Sequence, residues 1–311
     1  MSTPERPGII IDCDPGHDDA IAIVVAARFT DVVGITTVSG NAPLSATTRN
    51  ATIVRDLLGM RAPVHSGAEV PLVRPAKHAD YVHGVSGMDG ADLPEPSGPP
   101  ASTDAVGFII ESCRAQEGLW LVPTGPLTNI ALALRAAPDL ARRIAGISLM
   151  GGGTFGNRTA AAEFNIWCDP EAADIVFSYG GPLIASGLDV THQFQALPHR
   201  VDMVRALPGH LAAVLADLLD FFSDTYRSRH HGIGGAAVHD PLAVMALTHP
   251  QLFTRKNVHV EIETQGTRTL GMTVLDQRDL KEVPNGNCEW QTGLDADAAW
   301  NVVLESIAAF S

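Results

Sequence analysis

Four aspartates, Asp12, Asp14, Asp18 and Asp19, fall within eight positions of the stretch IIIDCDPGHDDAIAIVVAA, residues 9 to 27. They stand where an apolar run ends and a helix-like apolar stretch begins. One or two can be spent locally, because an aspartate ahead of Ala20 can cap the helix and complement the positive end of its dipole. The remainder would gather negative charge in a partly buried turn, where like charges raise one another's pKa or require a cation. A site rich in oxygen and free of sulfur suits Ca2+ or Mg2+. It is not an EF-hand: counted from Asp12, the twelfth position is Ile23 where a bidentate Glu is needed, and Pro15 breaks the loop pattern. Spacing alone leaves two readings open, a metal site and a set of solvated acids with one helix cap.

The elements that must position these acids follow a βαβ rhythm. Gly8 to Ile11 reads as a strand leading to a helix from about Ala20. Val32 to Val38 reads as a second strand and Thr47 to Leu58 as a helix. Leu119 to Val122 precedes a helical Leu127 to Leu134, Ile144 to Met150 precedes a Gly-rich loop, and Leu183 to Ala185 is a further short buried strand. This pattern predicts an α/β fold, an open, mostly parallel, Rossmann-like sheet with helices on both faces, whose sites lie beyond the carboxyl ends of the strands. The proline-rich stretch from Leu93 to Ser102 reads as a surface crossover, since the rhythm resumes after it. Val258 to Glu263 and Thr269 to Leu275 alternate around Gln265-Gly266 and predict a hairpin. With no internal repeat, residues 1–311 are expected to form one domain.

Composition narrows the partners. A net charge of −14 over 311 residues argues against attraction to nucleic-acid phosphate or an anionic membrane. No apolar run reaches the ~18 residues of a membrane span, and no basic n-region with an apolar h-region opens the chain, so the expected compartment is the cytoplasm. Cys13, Cys113, Cys168 and Cys288 form no C-x-x-C pair and are expected to be reduced thiols.

The acidic stretch, D-x-D-P-G-x-D-D-A after a buried strand, resembles the signature of the nucleoside hydrolases, the inosine-uridine-preferring family. Six further pieces stand in that family's order: Gly40-Asn41, V-P-T-G-P-L-T-N-I at 122–130, M-G-G-G at 150–153, N-R-T-A-A-A-E-F-N-I at 157–166, D-P-E-A-A at 169–173 and V-H-D-P-L-A at 238–243. The resemblance implies a nucleoside hydrolase-type sheet, one bound Ca2+, and hydrolysis of the N-glycosidic bond of ribonucleosides to ribose and free base. It also implies a homodimer or homotetramer.

That chemistry passes through an oxocarbenium-like state and needs a nucleophilic water, anchors for the sugar hydroxyls and help for the leaving base. By resemblance, Asp14 and Asp19 are calcium ligands, completed by the Thr124 carbonyl and Asp240. Asp14 would also take a proton from the metal-oriented water as general base. On sequence alone Asp240-Pro241 also reads as a helix cap followed by proline at the first helical position, and that reading is favoured there, although a capping Asp keeps a spare oxygen for a cation. Asp12 is given a supporting role in positioning the loop. Asp18, Asn41, Met150, Asn157, Glu163 and Asn165 correspond to substrate contacts, with Glu163 and Asn165 expected on one side of an extended segment. Gly156-Asn157 and Gly40-Asn41 could equally be an ordinary turn and a strand end.

His239 corresponds to a histidine near the base and could assist its departure, although a neighbouring cation should lower its pKa. His83, in H-G-V-S-G, corresponds to a second position near the substrate, but Ser86 stands where an acidic residue is expected. The stretch Tyr226 to Ala237 is expected to form a mobile flap over the base, with Gly232, Gly234 and Gly235 permitting movement and Tyr226, Arg227 and His231 available as base contacts. Arg158 and Ala161 replace smaller or more rigid residues beside the sugar anchors. The four tryptophans read as packing.

Two other classes compete. I-I-I-D-C-D resembles the opening of haloacid-dehalogenase-type phosphotransferases, but Pro15-Gly16-His17 breaks that continuation and leaves Asp18, Asp19 and the E-F-N segment without roles. A non-catalytic nucleoside- or sugar-binding module is the other alternative. Gly151-Gly152-Gly153 is no P-loop, since no Gly-Lys-Ser/Thr follows. Purine or pyrimidine preference is not decided by these residues.

Overall fold

The computed structural model describes residues 6–229, 233–278, 280 and 284–310. Its strands are β1 (Gly8–Cys13), β2 (Asp31–Thr37), β3 (Val64–Ser66), β4 (Trp120–Pro123), β5 (Gly146–Met150), β6 (Leu183–Ser186), β7 (Phe253–Ile262), β8 (Thr273–Asp276) and β9 (Cys288–Leu294). The α-helices are α1 (His17–Phe29), α2 (Leu44–Leu57), α3 (Asp80–His83), α4 (Ala105–Ala115), α5 (Thr128–Ala136), α6 (Phe164–Cys168), α7 (Pro170–Phe177), α8 (Leu188–Thr191), α9 (Pro198–Arg205), α10 (His210–Arg229), α11 (Pro241–Thr248) and α12 (Ala296–Ala308). Among the described residues no helix is long and apolar enough to cross a membrane.

The strands form one sheet in the order β3-β2-β1-β4-β5-β6-β9-β7-β8. Pairing is parallel from β3 through β9 and antiparallel at β9–β7 and β7–β8. The α/β expectation therefore holds, with a mixed edge. The hairpin forms as β7–β8, but β7 begins at Phe253 and its first half pairs with β9, a strand the sequence reading did not include.

Alternation along β1 divides two cores. Ile9, Ile11 and Cys13 pack with α1, α10, α11 and α12 on one face, while Ile10 faces α4, α5 and α7 on the other. Every residue from Ala20 to Ala26 is buried, so α1 is wrapped on all sides and its start can hardly shift without disturbing several neighbours.

Strand order reverses between β1 and β4, with β2 and β3 leading away on one side and β5 and β6 on the other. A crevice opens at the carboxyl ends of strands at such a switch point. Asp14 follows β1, Thr124 follows β4, Asn41 follows β2 and Met150 ends β5.

Candidate active site

Helix α1 begins at His17, three residues earlier than expected, which places Asp18 and Asp19 in its first turn. Asp19 occupies the third helical position and its Oδ2 accepts the Gly16 N–H at 2.9 Å, half of a capping box. Its Oδ1 accepts the Thr124 hydroxyl at 2.8 Å, tying the end of β4 to the start of α1. The local capping role of the acids is thus real and falls to Asp19.

Asp14 is fully buried. Its Oδ2 accepts the Asn41 N–H at 2.6 Å, while its Oδ1 has no partner. Glycines stand on both sides of this carboxylate: a Cβ at Gly40 would come within 2.0 Å of Asp14 Oδ2, and one at Gly125 within 2.3 Å of Oδ1. The Gly40-Asn41 and Thr124-Gly125 pairs therefore owe their small residues to the close approach of backbone to Asp14. The Asn41 amide reaches the Asp14 carbonyl at 3.2 Å and Asp19 Oδ2 at 3.3 Å.

Asp18 Oδ2 accepts the His239 N–H at 3.0 Å, a contact between residues 221 apart in sequence. Asp240 sits at the N-cap of α11, with Pro241 first in the helix, yet its side chain makes no capping hydrogen bond. The cap reading favoured on sequence is corrected here: the carboxylate turns instead to Asp18 and Asp19. Ligand atoms of Asp18, Asp19 and Asp240 lie within 4.8 Å of one another. Asp14 stands outside that tight group, although its charge is felt by Asp240.

Burial first, and then Asp19, push Asp14 well above the usual carboxylate range. Asp18 is pushed to about 7 by the same two causes in the same order, and Asp240 is pushed well up by burial and then by Asp18 and Asp19. Among the described residues, no Lys or Arg forms an ion pair with any of these acids. Four buried carboxyl groups, one oxygen without a partner and an all-oxygen donor set fit a hard divalent cation. Asp12 also has one oxygen, Oδ2, without a partner, but its surroundings differ. Its Oδ1 accepts Thr36 Oγ1 at 2.6 Å and Asn129 Nδ2 at 2.8 Å, so it braces β1 against β2 and the first turn of α5.

Above the acids lies a cavity of about 390 Å³. Of the sequence-derived candidates, Asp18, Asn41, Thr124, Asp240 and His239 line it together with His83, Met150, Asn157, Glu163, Asn165 and Tyr226. Asp12, Asp14 and Asp19 do not. The expected extended segment at 163–165 is a helix start instead: Glu163 caps α6, and its carboxylate accepts the N–H groups of Asn165 at 2.9 Å, Ile166 at 3.1 Å and Gly152 at 3.0 Å. Three backbone donors hold an acid that burial alone would drive toward neutrality. Asn165 Nδ2 donates to the Thr124 carbonyl at 2.8 Å and to the Met150 carbonyl at 3.2 Å. Asn157 Oδ1 accepts the Phe164 N–H at 3.0 Å.

His239 spends both ring nitrogens inside the protein, Nδ1 on Thr191 Oγ1 at 2.7 Å and Nε2 on Tyr226 Oη at 3.0 Å. Burial, then His192, lower its pKa to about 3, so its ring is neutral. The flap expectation is corrected in part. Tyr226 and Arg227 belong to the last turns of α10, and Arg227 pairs with Asp224 and does not line the cavity. Gly235 packs against the Ala196 carbonyl, where a Cβ would come within 2.0 Å, so close contact explains this glycine. His231 and Gly232 lie outside the described residues.

Ser86, where an acid was expected, bonds through Oγ and N–H to the Asp89 carboxylate, which supplies the negative group three residues later. Arg158 stacks on Trp167, its guanidinium carbon 4.1 Å from the ring centroid. Sequence reasoning missed Phe222 and Arg229, which line the cavity with Tyr226. Their spacing, i, i+4 and i+7, marks one helical face and was available once α10 was known to run to Arg229.

The inosine-uridine preferring nucleoside hydrolase family matches the chain over residues 9–301. A Pyrimidine-specific ribonucleoside hydrolase RihA of Shewanella sp. (strain MR-7) is 44% identical over 98% of this chain and 97% of its own length. A second protein of that name, from Photobacterium profundum, is 47% identical over 90% of this chain and 91% of its own. Among solved structures, the Purine-Preferring Ribonucleoside Hydrolase from Gardnerella vaginalis superposes with a TM-score of 0.91 at 34% identity, covering 97% of this chain and 98% of that one. With the acids, the switch-point crevice and the ordered motifs all accounted for, the chain belongs to the inosine-uridine preferring nucleoside hydrolase family.

Proposed function

We propose that this nucleoside hydrolase, acting as one domain within a homodimer or homotetramer, is a Ca2+-dependent hydrolase of pyrimidine ribonucleosides. The observation that carries the cation is the buried, all-oxygen group of Asp18, Asp19 and Asp240 beside Asp14, whose Oδ1 has no partner. Asp14, Asp19, Asp240 and the Thr124 carbonyl would hold the ion. When bound, it would offset the buried negative charge, orient an attacking water and lower that water's pKa, so that a neighbouring carboxylate can take its proton.

Asp14 Oδ1 accepts that proton, held in place by the Asn41 N–H on its other oxygen. Asp18, Asn157 and Glu163 present oxygens, and Asn41 and Asn165 present amides, to the ribose hydroxyls. Acidic acceptors there favour the positive charge that develops on the ring as the C1′–N bond breaks. Water supplies the new C1′–O bond, and the base leaves with the electron pair of the old one. Tyr226 lines the cavity, and its hydroxyl, backed by His239 and Thr191, would donate a proton to the departing base, with the neutral His239 orienting that hydroxyl. The pyrimidine preference draws on the relatives named pyrimidine-specific.

Ribose release from uridine, cytidine, inosine, adenosine and guanosine, with a chelator and then with Ca2+ restored, tests the reading. Release from the two pyrimidine nucleosides that stops on chelation and returns with Ca2+ is expected. Turnover unaffected by chelation would remove the metal from the reaction, and no release from any of the five would remove the substrate class.

A further inference from the structure

The acidic signature contains two positions that the four aspartates do not explain, Gly16 and His17. His17 opens α1, its ring is fully buried, and it stacks on Phe222 and Phe221 with centroids 5.1 and 5.4 Å away. Its Nε2 lies 2.8 Å from the Asp89 carbonyl oxygen, and its Nδ1 lies 3.0 Å from His83 Nδ1. Gly16 makes this meeting possible, since a Cβ there would stand 2.5 Å from His83 Nδ1.

We propose that His17 is a positioning residue that fixes the tautomer of His83, so that His83 meets the substrate through Nε2 as a hydrogen-bond acceptor. A carbonyl oxygen only accepts, so His17 Nε2 must carry a hydrogen. A charged imidazole is costly in a fully buried aromatic stack, which keeps the His17 ring neutral. A neutral ring has one hydrogen, so His17 Nδ1 is a lone pair. The 3.0 Å contact then requires the hydrogen to come from His83 Nδ1, which leaves His83 Nε2 bare. One contact opposes this assignment: the His17 backbone N–H lies 3.5 Å from the same His83 Nδ1. At that separation it is the weaker of the two.

His83 lines the cavity, and its Nε2 has no protein partner among the described contacts. A substrate group facing it must therefore donate. A ribose hydroxyl or an exocyclic amine qualifies, whereas a base carbonyl would meet a lone pair. The chemical class selected is a nucleoside that presents an N–H or O–H at this wall. This consequence rests on the proposed nucleoside-hydrolase reading; the tautomer itself does not.

The test begins with nitrogen-15 NMR of histidine-labelled enzyme, with His83 assigned by the loss of its signals in His83→Gln. The Nδ1–H form of His83 is expected in the wild type. His17→Phe keeps the stack and removes the acceptor, so His83 should revert to Nε2–H and kcat/KM should fall about tenfold. His17→Asn, which restores an acceptor oxygen, should recover most of that loss. Comparing cytidine, uridine and 5′-deoxyuridine locates the donor. A change in the cytidine-to-uridine ratio between wild type and His17→Phe points to the amine, and a loss confined to substrates with a 5′-hydroxyl points to the sugar. An Nε2–H form of His83 in the wild type overturns the proposal, and that spectrum decides even if the Phe variant does not fold. The proposal also fails if His17→Phe leaves both tautomer and kinetics unchanged. An Nδ1–H His83 in a protein that releases no ribose would uphold the tautomer and sink the functional reading.

Discussion

Asp169 and Asp14 are both aspartates with no exposed surface, yet they solve burial in opposite ways. At the corner where α7 begins, Asp169 Oδ1 accepts the Ala172 N–H at 3.0 Å, while Oδ2 accepts Thr128 Oγ1 at 2.6 Å and the Leu72 N–H at 2.9 Å. Both oxygens are satisfied, and the residue staples α7, α5 and the loop carrying Leu72 together. At the switch point, Asp14 has one satisfied oxygen and one bare one, with Asp18 and Asp19 beside it. Burial and acid type are the same. Between these two the count of donors goes with the role, but Asp12, whose Oδ2 is also bare while its Oδ1 takes two donors, braces the fold, so the neighbouring acids of Asp14 matter as much as its free oxygen.

Four measurements would break or sharpen that contrast. Asp14→Ala should lower kcat by about a thousandfold, the range of a lost general base, with the fold retained; near-normal turnover would erase the distinction. Next in size is chelation. A cation at a hundred times its Kd stabilises by about 2.7 kcal/mol, so melting should shift down when it is removed, and Asp240→Asn should shrink that shift. A melting curve indifferent to both Ca2+ and chelator would mean that the buried acids are balanced by something within the chain.

Asp169→Ala strands three donors and removes a cap, with an expected cost of about 2 kcal/mol in denaturant unfolding and kcat within about twofold of wild type. A large kcat loss without a stability loss would reverse the assignment of the two aspartates. The smallest effect is expected at Gly125→Ala, whose methyl would crowd Asp14 Oδ1. About a tenfold loss in kcat with little change in KM should follow, because the displaced oxygen acts on the chemical step rather than on substrate binding. If KM rises while kcat holds, Gly125 serves the sugar and not Asp14.

The early strands were legible because an apolar run followed by acids has few places to go in an α/β fold. The Ile9-Ile10-Ile11 run must be buried on both faces, and the acids after it emerge at the carboxyl end of β1. The late elements were harder. Strand β9, Cys288–Leu294, lies between β6 and β7, partners from distant parts of the chain, and its polar Glu289, Gln291 and Thr292 hide the pattern. Helix α10 was absent from the sequence reading, and its last turns, with Tyr226, Arg227 and Arg229, look like loop chemistry when its apolar face is not in view.

By itself the sequence determined the sheet class, the clustering of acids at the first strand's end and, through ordered motifs, the family. Only the tertiary structure decided which polar atoms are already spent. Asp240 occupies a cap position without capping, Glu163 is held by three N–H groups, His239 has both nitrogens engaged, and Asp14 keeps one oxygen free. The reason is physical. Apolar periodicity is a local property of the chain, whereas hydrogen-bond satisfaction in a buried site is settled by partners that folding brings from far along the sequence.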